Sequence, residues 1–175
     1  VAGAGRSVPG LHAAHQALDS SHLLNEFRRL PMHPFPHRYV VNATMRPGGD
    51  VPLSAEGVRV IESAPPKEFD GPGNQWSPEG LLTAAVADCF VLSFRAIAAA
   101  SKFAWLGLDA CTEGTLDRID GKMRFTRFDT HARLQVPAGA DVERAKKLLE
   151  KAELACLVSN SLSSERHLTV EVIAA

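Results

Sequence analysis

The sequence predicts an α+β fold in which short antiparallel sheets pack against two helices. Three observations support this. Strand-like runs are separated by short turn signals, one long run is almost entirely apolar, and a later run has a clear amphipathic stripe. The predicted order of elements is βββ-α-ββ-α-β. Because hairpin turns link the strands, the sheets should be largely antiparallel.

The first predicted helix follows Ser77, which is a good N-cap, and runs to about residue 101. Pro78 suits the first helical position, and the positive end of the helix dipole favours Glu79 next to it. Residues 81–100 include only four polar side chains. A helix that is apolar on nearly all sides must be surrounded by protein, so we expect a second subunit to cover part of it.

The remaining elements follow from alternating apolar positions and turn residues. A Pro- and Gly-rich loop at 63–76 precedes the first helix, and Asp120-Gly121 indicates a hairpin. The second helix follows Asp141 and ends near Cys156. The predicted strands are 38–46, 51–54, 58–62, 107–119, 122–136 and 167–173.

Length and charge favour one domain without a nucleic-acid or membrane partner. The chain has 175 residues and a formal net charge of -1, so no electrostatic attraction to polyanions is expected. The run at 81–100 approaches membrane-spanning length, but Asp88 and Arg95 within it favour a buried helix. No signal-peptide pattern is visible, which predicts a cytoplasmic protein. Residues 1–31 are interpreted as an N-terminal extension with a helical stripe near 10–30, and 32–175 as a single domain.

The three cysteines are too few for a secreted disulfide framework. Cys111 lies on the predicted outward face of its strand. Cys89 and Cys156 lie on inward helix faces, where they are either inert core residues or a pair of reactive thiols. Cys89 is mid-helix, so a reactive thiolate there requires a cation from elsewhere.

Glu79 and Cys89 are separated by ten residues of one helix, or roughly 15 Å. A single straight helix therefore cannot bring both side chains into one site. If they act together, Glu79 must come from a neighbouring subunit.

Two motifs carry a resemblance to a known family. SPEGLLTAAVADCF (77–90) and CLVSNSL (156–162), with the loop APPKEFDGPGNQW (64–76), resemble the osmotically inducible protein C / organic hydroperoxide resistance (OsmC/Ohr) family. The resemblance covers residue 38 to the C-terminus. It implies an intertwined homodimer, with strongly curved antiparallel sheets around two central helices.

The resemblance also implies a thiol peroxidase that needs no cofactor. Cys89 would attack an organic hydroperoxide and become a sulfenic acid, and Cys156 would convert this to a disulfide. A small dithiol, lipoyl-type in the family, would then reduce the disulfide. Glu79 matches the family's glutamate, which orients an arginine beside the thiolate. Arg46 is the best match for that arginine, with Arg38 as the alternative.

The chain departs from the family pattern at Asp88, which precedes the cysteine, and at Leu157, where proline is common. These departures indicate a divergent member. Three aromatic residues near the motifs are candidates for an apolar substrate mouth, with plain core packing as the alternative. They are Trp76, Phe69 and Phe90.

Two other functions compete with peroxidase chemistry. One is a non-catalytic dimeric binding or stress-response module with the same fold. The other is a cysteine hydrolase with a histidine base, although no histidine has a distinctive spacing to Cys89. His12 and His15 suggest a metal only weakly, because no further ligands accompany them.

Overall fold

A computed structural model describes residues 33–175. The predicted helix near 10–30 lies outside the described residues. Of these, residues 33–40 belong to a separate unit, and Val41–Ala175 form the main body. The body contains two three-stranded sheets and three α-helices, which places it in the predicted α+β class.

The strands and helices of the body are bounded as follows. The strands are β1 (Asn42–Ala43), β2 (Val51–Ser54), β3 (Ile61–Ser63), β4 (Gly107–Ile119), β5 (Lys122–Val136) and β6 (Glu165–Ala174). The α-helices are α1 (Pro78–Ala100), α2 (Val142–Ala155) and α3 (Leu157–Asn160), and a 3₁₀ turn spans Lys67–Phe69.

The first sheet is small and antiparallel, in the order β1-β2-β3. The strand predicted over 38–46 is wrong in length, since only Asn42 and Ala43 pair with β2. The reason is that the next position along β2 is Pro52, which accepts from the Thr44 N–H at 3.3 Å but has no N–H to donate in return. Apolar side chains on this part of the body remain exposed, among them Met45 at 76% and Val58 at 66%.

The second sheet has the order β4-β5-β6 and carries the core. The predicted hairpin between β4 and β5 is confirmed, with Asp120 and Gly121 at positive φ as a tight two-residue turn requires. One expectation needs correction, because β6 pairs with β5 in parallel. The reason is that β5 and β6 are joined by a helical crossover, which returns the chain in the same direction.

The predicted capping of α1 is confirmed. The Ser77 hydroxyl accepts a hydrogen bond from the Gly80 N–H at 3.1 Å, and Pro78 opens the helix. Four side chains at helical spacing are buried against the second sheet and α2: Val86, Phe90, Phe94 and Ala98. Other apolar positions of α1 stay partly uncovered, such as Leu92 at 42% exposure.

By length and composition alone, α1 is the described helix that would be able to cross a membrane. Its buried face instead belongs to the main core. That core joins Phe94 of α1 to Leu134 of β5 and Leu149 of α2, each fully buried. The core therefore fixes the middle of α1, where Cys89 lies.

Candidate active site

The fold brings two of the three cysteines together. Cys89 projects from the middle of α1 and is half-buried, whereas Cys156, directly after α2, is 1% exposed. Cys89 lies near enough to Cys156 to raise the pKa of the Cys156 thiol. The fold thus brings together two cysteines that are 67 residues apart in the sequence.

Ser159 supplies two further contacts to Cys156. Its hydroxyl donates to Cys156 Sγ at 3.1 Å, and its backbone N–H donates at 3.5 Å. Burial raises the pKa of the Cys156 thiol, and the neighbouring Cys89 adds to the increase, while the Ser159 hydrogen bonds oppose it. Cys156 is therefore protonated at neutral pH but is supplied with donors that stabilise its thiolate.

Side-chain bonds fix the segment that carries Ser159. Asn160 donates to the Leu154 carbonyl at 2.9 Å, and Arg166 of β6 donates to the Asn160 side chain at 2.8 Å. Arg166 also pairs with Glu153 at 3.4 Å. These bonds tie the end of α2, the whole of α3 and the start of β6 into one unit around Cys156.

Phe90 lies beside this thiol pair and apart from the other two candidate aromatics. It is 2% exposed, belongs to the main core, and lines a small cavity with Cys156 and Phe128. Phe90 does not line the cavity that contains Trp76. The structure therefore separates it from the predicted substrate mouth and favours the core-packing alternative for this residue.

Phe69 and Trp76 do line a common cavity, of about 570 Å³, between the start of α1 and strands β4 and β5. Gly114 of β4 forms part of its wall, and a Cβ added there would come within 2.8 Å of Phe125 and Thr83 side-chain atoms. The cavity is predominantly apolar. Its size and lining suit a hydrocarbon chain better than a charged ligand.

Glu79 lies at the rim of this cavity and of a second one of about 650 Å³ towards the first sheet. Its Oε2 atom is buried and has no hydrogen-bond partner within residues 33–175. A buried carboxylate oxygen without a partner is costly, so this position calls for a cation or donor. The first turn of α1 supplies part of the compensation through its free backbone N–H groups and dipole.

For neither candidate arginine does the described part of the chain show a hydrogen bond or ion pair to Cys89 or Cys156. Arg46 is exposed in the turn between β1 and β2, and no hydrogen bond or ion pair within 33–175 joins it to Glu79 or to a cysteine. Arg38 is exposed in the separate unit that ends at Val40. Their assignment to the site stays a prediction.

The departures from the family pattern lie on the surface. Asp88 is exposed, one helical position away from the inward-facing Cys89, and Leu157 is 78% exposed. Cys111 is exposed on β4, as its strand face predicts. Within the described part of the chain, no group of three potential ligands lies close enough to hold a metal ion.

Sequence reasoning missed Ser159 and Arg166. Ser159 was inside a recognised motif, three residues after Cys156, which is the spacing at which a capping side chain and a first-turn N–H meet. That spacing could have identified Ser159 from the sequence. No sequence pattern indicates Arg166, because its contact with Asn160 depends on how β6 packs.

Comparison with known proteins identifies relatives. The family model of the OsmC-like proteins matches residues 71–172. The uncharacterized protein YmaD of Bacillus subtilis is 27% identical over 140 residues, covering 77% of this chain and 93% of that protein. Peroxiredoxin OsmC of Escherichia coli is 28% identical over 89 residues, covering 51% of this chain and 62% of that protein.

A solved structure has the same fold. It is an organic hydroperoxide resistance protein OsmC from Legionella pneumophila, described as a predicted redox protein and regulator of sulfide bond formation. The TM-score is 0.63 at 24% identity, and the match covers 81% of this chain and all of that one.

Proposed function

The chain belongs to the OsmC-like family, and from that premise we propose that it is a thiol-dependent peroxidase that reduces organic hydroperoxides to alcohols. The observation that carries this proposal is that the fold makes Cys89 and Cys156 neighbours, close enough for Cys89 to raise the pKa of the Cys156 thiol. Two neighbouring thiols can be joined as a disulfide if their sulfur atoms move together. Because a relative of this chain is a peroxiredoxin, we expect the disulfide to form and to be reduced again in each catalytic cycle.

In the first step, the Cys89 thiolate attacks the distal oxygen of the hydroperoxide. The O–O bond breaks, an alcohol leaves, and Cys89 becomes a sulfenic acid. Cys89 suits this role because it is half-buried, whereas Cys156 is sealed from solvent. The proposed site for the alkyl group is the 570 Å³ cavity lined by Phe69 and Trp76 in the copy that supplies Glu79, since Cys89 does not line this cavity in its own chain.

In the second step, the Cys156 sulfur attacks the sulfenic acid sulfur. A Cys89–Cys156 disulfide forms and water is lost. A dithiol, lipoyl-type by analogy with the family, then returns both cysteines to thiols and becomes a cyclic disulfide. No metal or organic cofactor enters this scheme, and we place the reaction in the cytoplasm.

We infer that the complete site is formed by two copies of the chain, as a homodimer. Cys89 and Glu79 are roughly 15 Å apart along α1, and Glu79 Oε2 is buried without a partner within the described chain. We assign Arg46 of one copy to pair with Glu79 and to approach the Cys89 thiolate across the interface, with Arg38 as the alternative. The apolar side chains left exposed on α1 and the first sheet are the surface that such an interface would cover.

Peroxide consumption tests the proposal. With cumene hydroperoxide and dihydrolipoamide, Cys89→Ser is expected to abolish the reaction. Cys156→Ser should consume one equivalent of peroxide and then stop. Cys111→Ser is the matched control, because that thiol is exposed and away from the pair, and it should turn over like the unmodified chain.

Two outcomes would reject the scheme. If both Cys89→Ser and Cys156→Ser lose the first oxidation equally, the roles of the two cysteines are wrongly assigned. If the unmodified chain does not react with alkyl hydroperoxide, the non-catalytic binding module becomes the better account of this fold.

A further inference from the structure

We propose that the Cys89–Cys156 disulfide opens in one direction: the incoming thiolate attacks Cys89, and Cys156 leaves as a thiolate stabilised by Ser159. This inference rests on the proposed function for the existence of the disulfide. Ser159, which has no role in the peroxidase scheme above, would stabilise the departing Cys156 thiolate. Cys89 would carry the reductant in the mixed disulfide.

Access favours attack at Cys89. Thiol–disulfide exchange proceeds with the nucleophile approaching the sulfur opposite the leaving group, so the attacked atom must be reachable. Cys156 is 1% exposed and is enclosed by Phe90, Phe128 and Ser159. Cys89 retains exposed surface on α1.

Departure of Cys156 is assisted by Ser159, whose donors oppose the increase in pKa that burial gives this thiol. Its sulfur receives the Ser159 hydroxyl at 3.1 Å and the Ser159 N–H at 3.5 Å. Both donors strengthen as the sulfur gains negative charge, because hydrogen bonds to ions are stronger than those to neutral atoms. Such donors lower the free energy of the departing thiolate, and a more stable thiolate leaves faster.

The frame around Ser159 holds these donors in place. Asn160 is bonded to the Leu154 carbonyl and to Arg166, so the residue after Ser159 is anchored on two sides. Ser159 is 5% exposed, so its hydroxyl is shielded from competing water. The donors therefore stay directed at Cys156 while its bond to Cys89 breaks.

The exchange balances in two steps. The first thiolate of the dithiol forms a mixed disulfide with Cys89 as the Cys89–Cys156 bond breaks, and the electron pair stays on Cys156. The second thiolate of the dithiol attacks the reductant sulfur of the mixed disulfide and releases Cys89 as a thiolate. Two electrons pass from dithiol to protein, and two protons return the protein sulfurs to thiols.

A trapping experiment locates the attacked sulfur. The full chain carrying Cys111→Ser is oxidised with diamide, which makes the disulfide without peroxide. Glutathione is then added, the mixture is quenched in acid, and the mixed disulfide is mapped by peptide mass spectrometry. The expected adduct is on Cys89, with Cys156 open to alkylation. An adduct mainly on Cys156, or divided equally, would overturn the inference.

Ser159→Ala tests the leaving-group role. We expect the disulfide to open about tenfold more slowly, the size expected for one hydrogen bond to an ion. Ser159→Thr keeps the hydroxyl and should recover most of the rate. Ser161→Ala is the control, because the Ser161 hydroxyl bonds only to the Leu157 carbonyl. An unchanged opening rate in Ser159→Ala would remove Ser159 from the exchange.

A second readout separates this role from a structural one. In a Cys89→Ser, Cys111→Ser background, the pH midpoint of thiolate formation at Cys156, followed by ultraviolet absorbance, should move upward in Ser159→Ala, because a donor to the thiolate is lost. A purely structural role would leave the midpoint in place. Failure of hydroperoxide to oxidise Cys89 would reject the proposed function alone, since diamide makes the disulfide independently. Failure of diamide to join the two cysteines would reject both.

Discussion

The two ends of the candidate site differ in how completely one chain builds them. At the thiol end, Cys89 and Cys156 are neighbours, Ser159 donates to the Cys156 sulfur, and the surrounding segment is anchored by Arg166. At the carboxylate end, Glu79 has a buried oxygen without a partner in residues 33–175 and lies between two open cavities. This difference is the one expected if, as proposed, one copy supplies the redox pair and a second copy completes its electrostatic environment.

The largest expected effect tests the packing difference between the two ends. Phe94→Ala removes a fully buried ring from the core that fixes the middle of α1, and we expect a loss of about 3–5 kcal/mol in the free energy of unfolding. Trp76→Ala, at the carboxylate end, removes a ring that is 53% exposed, and should cost about 1 kcal/mol or less. Chemical denaturation measures both. Equal losses would show that the two ends are packed alike.

Glu79→Gln should have the next largest effect, and whether it weakens or strengthens the dimer shows whether a cation reaches Glu79. If a partner copy supplies an arginine, loss of the charge should weaken the dimer by about 2–5 kcal/mol, because the buried cation loses its counter-ion. If no cation reaches Glu79, the neutral amide should instead stabilise the chain, because an unpaired buried carboxylate is costly. Dissociation constants from analytical ultracentrifugation, with Glu68→Gln as the exposed control, distinguish the two cases.

Gly114→Ala sharpens the assignment of the cavity. The added Cβ would lie 2.8 Å from side-chain atoms of Phe125, Phe128 and Thr83, so these must shift or the cavity must narrow. We expect a loss of stability of about 1–3 kcal/mol. The KM should rise more for cumene hydroperoxide than for tert-butyl hydroperoxide, which is smaller. A KM increase of equal size for both would argue against this cavity as the alkyl site.

The smallest effect concerns pH. The pKa of Cys156 is raised in the folded chain, chiefly by burial, so the folded state holds its proton more tightly than the unfolded state. This contribution to stability is therefore fully present below the ordinary thiol pKa and is lost as pH rises through the higher folded value. Thermal unfolding of the reduced chain should show a decline over this alkaline range that is weaker in Cys156→Ser. A steeper decline in the variant would show that folding lowers the pKa of Cys156 and would contradict this prediction.

Much of the fold could be predicted because its signals are local. The Ser77 cap, the Asp120-Gly121 turn and the amphipathic stripe of α2 each act within a few residues, and each is found as expected. The length of β1 and the parallel direction of β6 could not be predicted in this way. Both depend on which strand becomes the neighbour, which is a property of the assembled sheet.

The site shows the same division. The resemblance identified Cys89 and Cys156 through their motifs, and the fold brings them together. For Phe90, the core-packing alternative is favoured, because adjacent helical positions point in directions about 100° apart and this one faces the core. The predicted arginine stays open, since a residue that acts across an interface has no local signal in its own chain.

The central claim is that each site combines Cys89 of one copy with Glu79 of the other. Mixing Cys89→Ser and Glu79→Gln chains, each nearly inactive alone, and allowing subunits to exchange tests it directly. If the site is shared, each mixed dimer contains one intact site, and random exchange should restore about one quarter of the peroxidase activity of the unmodified protein. If both residues act within one chain, every site carries a defect and the mixture stays as inactive as its components.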